Sequence, residues 1–118
     1  MDDALFVDGS TVEARDVALP TGKKVPLYFK AVRSSVITKW RRLRSEAESK
    51  KGDDRDIAIE SAQAFLISQS LCDPDGTLIS IEKAATLRPA FAEAITRAVL
   101  AVNGYIQDDD AKEDPGNG

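Results

Sequence analysis

The chain predicts an α+β fold, mainly α, in which an N-terminal β-hairpin packs on a small bundle of three to four helices. Three observations carry that reading. Two β-like runs flank Pro20-Thr21-Gly22-Lys23, a connection with turn chemistry. From about Ser34 the apolar residues switch from steps of two to steps of three and four. Pro89 then opens the cleanest helical stripe in the chain, formed by Phe91, Ile95, Ala98, Val99, Val102 and Ile106.

Each element follows from its residues. Residues 1–14 show no sustained period and are expected to form a flexible N-terminus. Residues 15–30 form the hairpin. In its second run Val25, Leu27 and Phe29 alternate with Pro26, Tyr28 and Lys30, the pattern of a strand with one covered face. Pro26 has no N–H to give a ladder, so this strand belongs at an edge or turns that position outward. A hairpin alone is marginal and needs a helix to cover it.

The first helix is expected over 34–51, with Val32, Val36, Trp40, Leu43 and Ala47 on its apolar stripe. Ser34 or Ser35 caps its start, and Gly52-Asp53-Asp54 stops it. The second is expected over 56–72, where Ile59, Ala62, Phe65, Leu66 and Gln69 share a face and Cys72 ends the stripe as a small hydrophobe. A short helix over 81–88 and the Pro-started helix over 89–104 complete a single domain, 15–106. Gly104 weakens or caps the last helix. Residues 107–118, QDDDAKEDPGNG, are acidic and lack large apolar side chains, which is the composition of a disordered tail.

Composition narrows the function. At 118 residues, 42% of them hydrophobic, the chain has room for one domain with an adequate core. No run approaches the length of a membrane span, and the acidic start MDDALFVDG is unlike a signal peptide. With Cys72 the single cysteine, neither an intramolecular disulfide nor a cysteine zinc site can form, and a cytosolic setting is expected. The chain contains no histidine, so Ser-His, Cys-His and most catalytic zinc arrangements are excluded. It also lacks the Gly-rich phosphate loops. The inventory argues against an enzyme and against a cofactor.

A metal site is invited by 73–82 and then largely refused. With Gly76 at position 6 of an EF-hand loop, Asp73, Asp75, Thr77 and Glu82 fall on ligand positions 3, 5, 7 and 12. Positions 1 and 9 fall on Leu71 and Ile79, which leaves a cation that wants six to eight oxygens with perhaps four protein groups. A structural turn explains the same residues: Asp accepts nearby backbone amides, Pro fixes φ, and Gly takes the φ > 0 position.

Charge divides the chain into blocks. Residues 1–22 balance at −4, residues 23–55 at +7 and residues 56–118 at −7. Such segregation steers oppositely charged partners or lets like chains meet head to tail, although solvated faces produce it too. Trp40, Arg41, Arg42 and Arg44 form the candidate partner-binding set, with Trp40 the one large anchor of the type interfaces favour. Helical spacing equally fits Trp40 as core packed on the hairpin, and that is the reading the stripe favours.

The order of elements also carries a resemblance. A small hairpin, a polar helix, an apolar helix, a D-x-D-G turn and a Pro-started helix ending in L-x-x-x-N-G resemble the tail assembly chaperones of long-tailed bacteriophages. The residues concerned are 66–71 leading into Asp73, Asp75, Gly76 and Thr77, and then Leu100-Ala101-Val102-Asn103-Gly104. The likeness spans roughly 15–106, and its motifs are turn chemistry that many folds share. It implies a non-enzymatic factor of phage or prophage origin, working in the host bacterial cytoplasm and absent from the mature virion. Such a factor binds the tape measure protein, keeps it soluble and helps recruit the tail tube protein. Catalytic and ligand residues are not among what the resemblance lends. A homo-oligomer is compatible with a free sheet edge and opposite charge blocks.

The alternative is nucleic-acid binding through 23–55, where Arg33, Lys39, Arg41, Arg42 and Arg44 offer phosphate contacts. The acidic remainder of the chain, with a sequence pI near 4.8, and the lack of a recognition-helix signature weigh against it.

Overall fold

A computed structural model describes residues 11–106, and their element order is β1 (Val12–Ala18), β2 (Lys24–Lys30), α1 (Ser34–Glu48), α2 (Gly52–Ser68), β3 (Leu71–Cys72), α3 (Ile81–Ala84) and α4 (Pro89–Val102). The fold is α+β and mainly α, as the periodicities predict. The sequence expectations for 1–10 and for the acidic tail 107–118 lie outside the described residues.

The hairpin forms around a three-residue connection. Gly22 N–H donates to the Leu19 carbonyl at 2.8 Å and Leu19 N–H donates to the Lys23 carbonyl at 2.8 Å. From this turn the register runs from Ala18 opposite Lys24 to Val12 opposite Lys30. β1 therefore starts within the segment expected to be flexible, because pairing with Tyr28, Phe29 and Lys30 draws in Val12, Glu13 and Ala14.

A third strand was not expected. Leu71 and Cys72 pair antiparallel with Phe29 and Tyr28, so the sheet order is β1-β2-β3 and β2 lies in its middle. Pro26 is tolerated there for a local reason. Lys30 N–H donates to the Ser70 carbonyl at 2.8 Å, on the β3 side. Backbone groups alternate sides along a strand, so position 26 also faces the β3 side. β3 reaches only as far as Tyr28, and Pro26 costs no ladder bond.

The expected second helix over 56–72 is corrected at both ends. It begins at Gly52, with Asp53 and Asp54 in its first turn, where acids meet the positive end of the helix dipole. It ends at Ser68, and the chain turns through Gln69 and Ser70 into β3. α1 stops at Glu48 rather than 51, where Ser49 Oγ donates to the Glu46 carbonyl at 2.7 Å. α3 spans only Ile81–Ala84, capped by Ser80 Oγ accepting from Lys83 N–H.

α1 and α2 form a helical hairpin, α2 also meets α3, α4 and β3, and α4 packs on β1. Being enclosed this way, α2 buries more than one face. Ala62, Ala64, Leu66, Ile67 and Ser68 are all buried, whereas Ile59, Phe65 and Gln69 of the expected stripe are half-buried. The core joins Phe29, Ile37, Trp40, Leu66, Ile67, Ile95 and Val99.

Candidate interaction surface

The candidate surface is built on α1. Val36, Ile37, Trp40, Leu43 and Ala47 turn inward at helical spacing, which leaves Lys39, Arg41, Arg42 and Arg44 exposed. The structure separates the four candidate partner-binding residues. Trp40 is core, 6% exposed, with its indole Nε1 lacking a hydrogen-bond partner. Covered in this way it is not a surface anchor, and the burial reading of its stripe holds.

The three arginines stay outside, each in a different setting. Arg44 lies 5.8 Å from the Trp40 ring centroid, over its edge of the core, and donates to Glu48 at 3.3 Å. Arg41 lies over the Tyr105 ring at 5.4 Å, and Lys39 lies over the Phe65 ring of α2 at 4.8 Å. Arg42 is exposed. The surface is thus a basic helix whose long side chains rest on aromatic rings contributed by α1, α2 and the residue after the α4 cap, Tyr105.

Asn103 and Gly104 fix the position of Tyr105. Gly104, at φ 80, takes a conformation that costs a side chain strain. Its N–H donates to the Ala101 carbonyl at 3.0 Å, and Tyr105 N–H donates to the Leu100 carbonyl at 2.9 Å. These are the two bonds of a Schellman cap, so Gly104 caps the helix. The Asn103 side chain does two more things. Its Nδ2 donates to the Val99 carbonyl and its Oδ1 accepts the Val32 N–H, both at 2.9 Å. The end of α4 is thereby tied to the segment entering α1. Sequence reasoning placed L-x-x-x-N-G as a motif; the long-range partner of Asn103 left no sequence signal.

The acidic turn is held by its own bonds. Asp73 N–H donates to the Thr77 carbonyl at 2.9 Å and Gly76 N–H donates to the Asp73 carbonyl at 2.8 Å. Thr77 N–H donates to Asp75 Oδ1 at 2.9 Å, and this bond holds the Asp75 carboxyl below its usual range. The carbonyl and carboxylate that an EF-hand would aim at calcium are therefore used within the turn. It is preceded by a strand instead of a helix, since Cys72 bridges Leu78 across it. Glu82 is exposed in the first turn of α3. Among the described residues no three Cys, Asp or Glu side chains converge as a metal site.

Gly76 at φ 92 lets the turn close over the sheet. A Cβ there would come 3.2 Å from Lys30 Cε and 3.5 Å from Val12 Cγ2. Cys72 of β3 is buried, and desolvation pushes its thiol pKa up. Among the described residues, no helix is long and apolar enough to cross a membrane. No protein-family model, curated protein or solved structure matches this chain.

Proposed function

We propose that this chain is a phage or prophage tail assembly chaperone: a non-enzymatic protein that binds the tape measure protein, keeps it soluble and helps recruit the tail tube protein. In this reading it acts in the host bacterial cytoplasm and leaves before the virion matures. The observation that carries it furthest is the exposure of Ile57 (61%), Leu78 (41%) and Ile81 (43%) on a surface otherwise rich in charge. A client that is a long amphipathic helix requires aliphatic contacts on the chaperone's outside, set among charges that keep the complex in solution. Leu78 and Ile81 flank the acidic turn of the resemblance, so the turn doubles as their scaffold.

The test is co-expression with the tape measure protein of the same gene neighbourhood, followed by capture at low and high salt. Retention at high salt with more soluble tape measure protein supports the reading. In a Leu78→Asp, Ile81→Asp variant that keeps its melting temperature, that retention falls. The exposed arginines of α1 favour a second reading, nucleic-acid binding. Loss of the client at all salts, with nucleic acid co-purifying at low salt only, replaces the first reading with the second.

A further inference from the structure

We infer that Asn103-Gly104 is a spontaneous modification site, an asparagine set to cyclise and deamidate, which the cap of α4 holds shut until that end of the helix opens. The chemistry needs only these two residues and water. Gly104 has no side chain to hinder its backbone nitrogen, which attacks the side-chain amide carbon of Asn103, Cγ, once solvent base has taken its proton. The bond between that nitrogen and Cγ forms, the Cγ–Nδ2 bond breaks, and Nδ2 leaves as ammonia with a proton from water. Water then opens the five-membered imide. Cleavage between Cγ and the nitrogen leaves aspartate; cleavage at the backbone carbonyl leaves isoaspartate, with the main chain running through the side chain. No oxidant or reductant is required. Gly104 is exposed, so base and water reach it.

Two features of the folded chain oppose each other at this pair. Val32 N–H donates to Asn103 Oδ1 at 2.9 Å, the oxygen on which negative charge gathers during the attack, so the carbon is activated. The nucleophile, however, is turned away. With ψ at 7 in Asn103, the Gly104 nitrogen eclipses the backbone nitrogen of Asn103. A five-membered ring closes only when the Gly104 nitrogen instead eclipses Cβ about the Cα–C bond. Nδ2 is held by the Val99 carbonyl at 2.9 Å, and Gly104 N–H is itself engaged by the Ala101 carbonyl at 3.0 Å. Without a near-attack geometry an activated carbon gains nothing. Ring closure therefore waits for ψ to rotate, which breaks the cap bonds of Gly104 N–H and Tyr105 N–H together. That opening is local, at a helix end, and costs less than unfolding the core. The two products differ in consequence. Aspartate still offers an oxygen to Val32 N–H. Isoaspartate puts an extra carbon into the main chain, so the cap cannot re-form and Tyr105 is released from Arg41. The modification thus reaches the candidate surface. The inference does not depend on the chaperone reading.

The experiment incubates the full chain in mildly alkaline buffer, folded and unfolded in guanidinium chloride, and follows Asn103 by peptide mass spectrometry. Peptide mapping separates it from the second Asn-Gly pair, Asn117-Gly118, and chromatography resolves isoaspartate from aspartate. Backbone amide exchange is measured under the same native conditions. Deamidation of Asn103 in the folded protein is expected to run about a hundredfold slower than in denaturant, the protection of a local opening. That slowing is expected to match the protection of the Tyr105 amide, which the same opening exposes, and to fall well short of that of the Phe29 amide in the sheet. Gly76→Ala, which strains the turn over the sheet and leaves the cap alone, is expected not to change the native rate. In aged protein the isoaspartate fraction is expected to lose protection at the Val32 amide, whereas the aspartate fraction keeps it. Equal rates in folded and denatured protein overturn the inference, since the cap would then hold nothing shut. A native rate that follows Phe29 protection, or that rises in Gly76→Ala, overturns it as well, because modification would then need global unfolding. So does an Asn103 that stays intact in denaturant, which would leave the pair without reactivity.

Discussion

Replacing Asn103 by alanine isolates the contact that ties the end of α4 to the segment entering α1. The Asn103 amide accepts the Val32 N–H and donates to the Val99 carbonyl, both at 2.9 Å. Val32 is buried, 7% exposed, so its N–H loses its partner where water has little access. An unsatisfied buried donor costs about 1–3 kcal/mol. Taking about 2 kcal/mol, and about 4–8 °C per kcal/mol for a domain of this size, the melting temperature falls by about 10 °C. Asn103→Asp is the control. It restores an oxygen opposite Val32 N–H but loses the donor to Val99 and sets a negative charge at the negative end of α4, so it costs about 1 kcal/mol. Calorimetry measures both. Hydrogen exchange locates the effect, since the Val32 amide loses protection in Asn103→Ala while the Phe29 amide in the sheet keeps it. A drop below about 2 °C for Asn103→Ala, or an aspartate variant as unstable as the alanine one, would refute the argument that the acceptor to Val32 secures this junction.

Trp40→Phe is expected to change stability by less than about 1 kcal/mol, because the area lost is offset by removing an unpartnered indole N–H, whereas Trp40→Ala costs about 3–5 kcal/mol; urea unfolding separates them. Gly76→Ala forces an ordinary residue to φ 92 and sets its Cβ 3.2 Å from Lys30 Cε, so a loss of about 1–2 kcal/mol is expected in the same assay. The Asp75 carboxyl, held low by the Thr77 N–H, titrates below 3.8 in the folded protein. Its stabilising effect is therefore present above 3.8 and disappears as the pH falls through the lower folded value. Asp75→Asn, which keeps an acceptor for Thr77, flattens that part of the acid limb in a pH series of melting curves. The buried thiol of Cys72, with its raised pKa, reacts slowly with a disulfide reagent at pH 8 in the native protein and quickly in denaturant.

What was legible in the chain was what local residues decide. The hairpin turn announced itself through Pro20, Thr21 and Gly22, and α4 through Pro89 and Gly104. The end of α2 was illegible because its cause is remote. Residues 65–72, FLISQSLC, contain no Gly or Pro, and their apolar spacing runs on as a helix. The break comes from Ser70, fully buried, whose Oγ donates to the Lys30 carbonyl at 2.7 Å while its own carbonyl accepts from Lys30 N–H. Those bonds draw Leu71 and Cys72 to the free side of β2, and forty residues of sequence separate the partners. Val12 and Ala14 joined β1 for a similar reason. At the candidate surface, the exposed arginines were readable from the stripe that buries Trp40 and Ala47. The ring beneath Arg41 was not, since Tyr105 arrives only through the cap at Gly104.

The charge blocks acquire a meaning once the chain is folded. A separation of charge along a sequence has no energetic consequence unless folding brings the blocks within about 8 Å, the screening length at physiological salt. The basic block 23–55 ends on α2, whose first turn carries Asp53 and Asp54, and its densest part is the exposed face of α1. The described acids of the C-terminal block are Asp56 and Glu60 on α2, Asp73 and Asp75 in the turn over the sheet, Glu82 on α3 and Glu93 on α4. Asp56 and Glu60 lie on the helix that packs against α1, so the basic and acidic blocks meet along the α1–α2 hairpin. A basic helix exposed on a chain of net charge −4 attracts a polyanion locally while the chain as a whole repels it, so any such binding falls steeply with salt.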